Sequence, residues 1–142
     1  MIATPERFLG LALFQTADRG VLAEAHGVWP FKKIVVGPEF DRLPYDERIA
    51  ALLHETHHCR RFHFEIRLLL LPLCWTKWVA RIAQRQEFAC DKFAADNGFG
   101  WEMLALLKRV RKSSGSEFYP SIEERCERLV NLLRRSVHEV AA

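Results

Sequence analysis

The segment His54-Glu55-Thr56-His57-His58 carries the groups in this chain best suited to hold a metal and move a proton. A spacing of i and i+4 puts the imidazoles of His54 and His58 on one helix face. One nitrogen from each can then reach a single tetrahedral zinc ion at about 2.0–2.1 Å. Glu55 follows one position on, about 100° around the helix. There its carboxylate meets a water on the metal rather than the metal itself. Zinc lowers the pKa of such a water to about 7, and a carboxylate can accept its proton. The same letters also fit a polar helix face with incidental histidines. Ala50 and Ala51, small residues on the side of the two histidines, leave room for something to approach.

A peptidase zinc site needs a third protein ligand, with the fourth position open to water. The metzincin pattern would place glycine at 61 and histidine at 64, but the chain has Arg61 and Phe64. His63 is off by one, so His57 and His63 read as bystanders. A better third ligand is Glu87, in Gln86-Glu87-Phe88-Ala89-Cys90-Asp91 on the next predicted helix. Glu87 and Asp91 are four apart and share a face. Glu87 would complete a His2Glu site, and Asp91 would accept a hydrogen bond from a ligand imidazole, fixing its tautomer. The other reading of the pair is an exposed acidic face offsetting Arg81 and Arg85.

These residues must be positioned by helices. Pro44, followed by Asp46 and Glu47 in the first turn, opens a long helix. Ile49, Leu52, Leu53 and Thr56 form one stripe of it, expected to face the core, with Ala50, Ala51, His54 and His58 on another side. The helix must break or kink by Pro72. A second helix is predicted over Thr76 to Asp96, stopped by Asn97-Gly98, and a third over Trp101 to Arg111. Lys112 to Pro120 reads as a loop. Ser121, with Glu124 completing a capping box, starts the last helix. At the front, Thr4-Pro5-Glu6 reads as a helix start, with Phe8, Leu9, Leu11, Ala12 and Phe14 on that helix. Lys33 to Val36 is a strand signal ended by Gly37-Pro38, and Val21 to Ala25 is its candidate hairpin partner. The expected class is mainly α (α+β): a zincin-like helical domain with a small sheet or hairpin beside the active-site helix, spanning 1–142 as one unit.

Composition bounds the function. Hydrophobic residues make up 49% and charged residues 27%, as in an ordinary folded domain. The net charge of +3 is too mild to argue for nucleic acid. Cys59, Cys74, Cys90 and Cys126 have no C-x-x-C spacing, so they read as scattered free thiols rather than a cysteine zinc site. Met1 to Arg7 lacks the basic start and apolar run of a signal peptide, so a cytoplasmic location is the expectation. Leu68 to Thr76 is free of charge, but it is far short of the about 20 residues of a spanning helix and contains Pro72. It is expected to be a buried helix end or turn; a surface or membrane-interface patch is the alternative.

Three ordered motifs resemble one family. Glu87-x-x-x-Asp91 followed by Phe93-Ala94-Ala95 is similar to the E-x-x-A-D segment of the HtpX/CAAX-prenyl-protease gluzincins. Tyr119-Pro120-Ser121, with Arg125 and Leu129 further on, resembles that family's H-P-S-x-x-x-R-I-x-x-L segment. Arg48 to Leu53 resembles its lead-in to the zinc helix. The resemblance implies a zinc-dependent endopeptidase acting on a protein or peptide substrate. It also implies an edge strand above the active-site helix that binds extended peptide, for which Lys33 to Val36 is the candidate. Arg125 would pair with Asp91 or stabilise the developing oxyanion. Tyr119, in place of the family histidine, would donate a hydrogen bond there or anchor a turn. The chain departs from the pattern at Cys90, where alanine is usual, and at His57, where glycine is usual. Only 28 residues separate His58 from Glu87, too few for the family's transmembrane hairpin. This would be a minimal soluble relative.

Two other readings stand beside it. The ImmA/IrrE group, small metallopeptidases that act on repressors, shares H-E-x-x-H and a segment similar to Glu87, Asp91, Phe93 and Ala94. The Tyr119 to Leu129 segment argues against that group, since it fits the first family better. A non-catalytic domain with structural zinc, or one that holds DNA, is the other. A structural zinc site normally has four protein ligands, and three are identifiable here.

Overall fold

The computed structural model describes residues 7–110 and 120–140. Its centre is the long helix α1 (Tyr45–Arg60), opened by Pro44 with Asp46 and Glu47 in the first turn. Ala50, Ala51, Leu52, Leu53, His54, Thr56, His58 and Cys59 are all buried. The helix therefore runs through the interior instead of burying one stripe, and both predicted faces are covered. It ends earlier than Pro72 requires. Phe62 takes a left-handed conformation, with φ of 56°, and the chain turns into a short helix α2 (His63–Leu69).

A longer helix, α3 (Lys77–Ala94), follows, with the Thr76 hydroxyl accepting from the Val79 amide. Its buried residues are Val79, Ala83, Gln86, Glu87, Cys90, Asp91 and Ala94. That is the spacing of one helix face, and three of the seven are polar. A wide turn at Ala95–Phe99 contains Gly98 at φ of 90°, a conformation that favours glycine. The chain then enters α4 (Gly100–Val110). Ser121 caps the last helix, α5 (Ile122–Val140), through the Glu124 amide at 3.1 Å. Among the described residues no helix is long and apolar enough to cross a membrane.

The sheet corrects the sequence reading at the front of the chain. Phe8, Leu11, Ala12 and Phe14 are not helical. They lie in β1 (Arg7–Phe8) and β2 (Leu11–Gln15), an antiparallel hairpin turned by Leu9 and Gly10, both at positive φ. Two adjacent left-handed residues are the chemistry of a tight hairpin turn, and they forbid a helix through that point. Thr4 and Pro5 lie outside the described residues. The remaining strands are β3 (Ala23–His26) and β4 (Lys33–Val36), in the order β1-β2-β4-β3. β4 pairs parallel with β2 and antiparallel with β3. It is therefore interior, and the edge strands are β1 and β3. Ile34 and Val36, alternate residues of β4, are buried against the helices, as a period of two requires. The architecture is mainly α, with one small mixed sheet laid on α1.

The stretch from Leu68 to Thr76 is also corrected. It is not buried: Leu69 is 80% and Trp75 74% exposed. The interior beside α1 is already filled by α3 and α4, and the only buried residue of α2 is His63.

Candidate metal centre

One cleft of about 600 Å³ opens beside α1. Its walls are residues 22–26 around β3, the α1 residues Ala51, His54, Glu55 and His58, Glu87 of α3, the inner face of α4, and Ile122 and Arg125 of α5. The α4 side is apolar, through Met103, Leu106, Leu107 and Val110. The side formed by α1 and α3 holds the ionisable groups.

Three side chains from two helices converge there. His54 Nε2 lies 3.2 Å from His58 Nε2 and 3.3 Å from Glu87 Oε2, and His58 Nε2 is 3.4 Å from Glu87 Oε1. All three residues are buried. Four-residue spacing brings the two histidines of α1 together, and packing of α3 across α1 brings in the carboxylate. The two contacts to Glu87 fall on different oxygens, so the carboxylate spans the two histidines.

Cys90 offers another set. His54, His58 and Cys90 also form a buried group able to hold a metal ion, with donor atoms within 4.8 Å of one another. Burial, and then the negative charges of Glu87 and Glu55, push the Cys90 thiol far up, so it stays protonated in the metal-free protein. Burial opposes the charge on Glu87, but hydrogen bonds from His54 and His58 hold its carboxyl well below the usual range, so it is ionised.

The surrounding groups orient the donors. His54 Nδ1 lies 3.0 Å from Asp91 Oδ1. Asp91 in turn accepts from Arg125, Nη2 to Oδ1 at 2.6 Å and Nε to Oδ2 at 2.8 Å. Burial works against the Asp91 charge, but Arg125 and His54 outweigh it and lower its pKa. Burial also disfavours an imidazolium at His54, yet its bonds to Asp91 and Glu87 push it up to about 10. Arg67 reaches Glu87 Oε1 at 2.8 Å and Gln86 Oε1 at 2.7 Å.

His63, read from the sequence as a bystander to the ligands, lies outside the donor group but touches one of its members. Its Nδ1 is 2.9 Å from His58 Nδ1. Burial and the neighbouring His58, His57 and Arg67 lower the His63 pKa to about 3, so His63 is neutral and can accept. A hydrogen bond from His58 Nδ1–H to it would orient the His58 ring. His57 lies apart from the donors, its ring packed on Phe93 with centroids 4.7 Å apart.

Glu55 lines the cleft beside these donors. Its Oε2 accepts from the Ala25 amide of β3 at 2.8 Å. Burial raises the Glu55 pKa, and His54 and His58 partly oppose that. The strand that touches Glu55 is thus β3, at a sheet edge, whereas β4 is interior. Tyr119 lies outside the described residues.

Sequence reasoning passed over Arg67, and it weighed His63 and Cys90 without giving them a part in this site. A signal for two of them existed: His63 and Arg67 are four apart on α2, facing α3. Which helix α2 would meet is not written in its own residues.

Comparison with known proteins returns no match: no family model fits the chain, and no curated protein or solved structure is significantly similar to it.

Proposed function

We propose that the chain is a zinc-dependent endopeptidase in which His54, His58 and Glu87 hold one zinc ion and Glu55 is the general base. The observation that supports this reading is the convergence of the two Nε2 atoms and the Glu87 carboxylate, with contacts of 3.2–3.4 Å, beside a cleft. A zinc ion held by these residues would supply Lewis acidity and would lower the pKa of a bound water. Glu55, which is not needed as a ligand, faces the same cleft. Its raised pKa suits a group that takes a proton from water and passes it to a leaving amine. Asp91 fixes the tautomer of His54, and His63 that of His58. Arg125 is a positioning residue, since two of its nitrogens bond Asp91 and Nη1 lies 3.6 Å from Glu87 Oε2. Tyr119 remains the candidate for an oxyanion donor by its place in the sequence. An extended peptide laid along β3 would take backbone bonds from that edge. The resemblance to the HtpX/CAAX-prenyl-protease gluzincins and a cytoplasmic location belong to the same proposal.

A second reading, a non-catalytic site, is favoured by the place of Cys90 beside both histidines. Glu55→Gln separates the two. The expected outcome is a roughly 10²–10⁴-fold loss of peptide hydrolysis with bound zinc unchanged. Full activity in that variant would remove the general-base role and the reading built on it.

A further inference from the structure

Residues 62–78 carry an unusual amount of exposed apolar surface. Nine of the seventeen exposed large hydrophobic residues among the described ones fall in this span. Scattered exposed apolar residues need no explanation, but a run of this density does. Leu69, Leu71 and Trp75 stand furthest out, followed by Trp78 on the first turn of α3. The tip of the β3–β4 hairpin joins them. The Trp29 amide donates to Glu65 on α2 at 3.1 Å, and Lys32 pairs with the same Glu65 at 2.8 Å and sits over the Phe62 ring. Phe31, in that tip, is 80% exposed.

The charge around this surface has one sign. Between positions 60 and 86 lie Arg60, Arg61, Arg67, Lys77, Arg81 and Arg85, against a single acid, Glu65. Their balance of +5 exceeds the +3 of the whole chain, so the rest of the molecule is net acidic. Glu65 is paired with Lys32, and Arg67 with Glu87 and Gln86. Arg60, Arg61, Lys77, Arg81 and Arg85 are exposed. Trp78, Arg81 and Arg85 follow one another at three- and four-residue steps, so aromatic and basic groups share the outer face of α3.

We propose that this surface docks on an anionic lipid bilayer, with the leucines and Trp75 entering the headgroup boundary and the arginines meeting lipid phosphates. Tryptophan and leucine beside lysine and arginine is the composition of an interfacial contact. The charge selects this occupant over a second copy of the chain. A two-fold dimer through the same patch would set five net positive charges against five, whereas an anionic surface neutralises them. The proposal does not depend on the metal centre or on peptidase activity.

The test is co-sedimentation of the full chain with vesicles, read together with tryptophan emission. Vesicles of phosphatidylcholine with about 30 mol% phosphatidylglycerol should bind the protein and shift its emission to the blue. Vesicles of phosphatidylcholine alone should bind it at least about tenfold less, and raising salt to about 0.5 M should release it. Leu69→Ser with Trp75→Ser should lower partitioning about tenfold. Arg81→Glu with Arg85→Glu, changes confined to exposed charge, should do the same and provides a second variant should the first fail to fold. Failure to bind anionic vesicles at low salt would overturn the proposal. So would equal binding to neutral vesicles, or a dimer in sedimentation equilibrium that both double variants dissociate without any vesicle binding by the parent.

Discussion

Replacing Glu87 and Cys90 in turn decides which residue completes the metal centre. Glu87 supplies one of three converging donors and the only negative charge among them. Zinc sites in small proteins contribute about 10–16 kcal/mol, so one donor in three is worth on the order of 4 kcal/mol, or roughly 10³ in affinity. Glu87→Gln should therefore weaken zinc binding about 10³-fold. The change also leaves buried cations short of a counter-charge, since Arg67, His54 and His58 all face this carboxylate. The metal-free fold should lose about 3 kcal/mol, the low end for breaking a buried pair, because the Arg67 side chain is 28% exposed. Cys90→Ala removes only a sulfur, from a site with no solvent exposure. It should cost about 1 kcal/mol of stability and change zinc affinity less than about threefold. Competition against a chromophoric chelator measures affinity, and urea unfolding of the metal-free proteins measures stability. Near-normal zinc binding by Glu87→Gln, with a hundredfold loss in Cys90→Ala, would refute the reasoning and move the third ligand to the thiol.

Two further outcomes test the surroundings of the centre. His63→Phe removes the acceptor 2.9 Å from His58 Nδ1 and should weaken zinc binding about 10–100-fold; isothermal titration of the metal checks this, and unchanged affinity would return His63 to a packing role. The folded metal-free protein has the His54 pKa raised from 6.5 to about 10, so the stability from its bonds to Asp91 and Glu87 is fully present below about pH 6.5. It is lost as pH rises through about 10, so urea midpoints of the metal-free protein should fall between pH 7 and pH 10, and a midpoint rising across that window would contradict the assignment.

The helical part of this fold was legible because it depends on local pattern. Pro44, Ser121 and the turn residue Gly98 each act on their own neighbours, and α1, α3, α4 and α5 lie close to where the sequence puts them. The pairing of Glu87 with Asp91 was legible for the same reason: four-residue spacing on a helix is a property of the backbone. The N-terminal hairpin was not. Phe8 to Phe14 has enough apolar residues for a helix, and what opposes it is the left-handed pair Leu9 and Gly10 together with a strand partner, β4, some twenty residues away. A strand is stable only with its neighbour, and a neighbour that distant leaves no local mark.

The sequence by itself determined which chemistry was on offer: two imidazoles and a carboxylate on one helix, and two carboxylates sharing a face on another. Tertiary structure alone decided how they meet. Packing of α3 on α1 puts Glu87 within 3.4 Å of both histidines, and α5 brings Arg125 onto Asp91. The turn at Phe62 swings His63 back onto His58, and the sheet order makes β3 the edge that touches Glu55. Each of these is a contact between distant segments, set by how buried surfaces fit together, whereas spacing along a helix is set by its 3.6-residue turn.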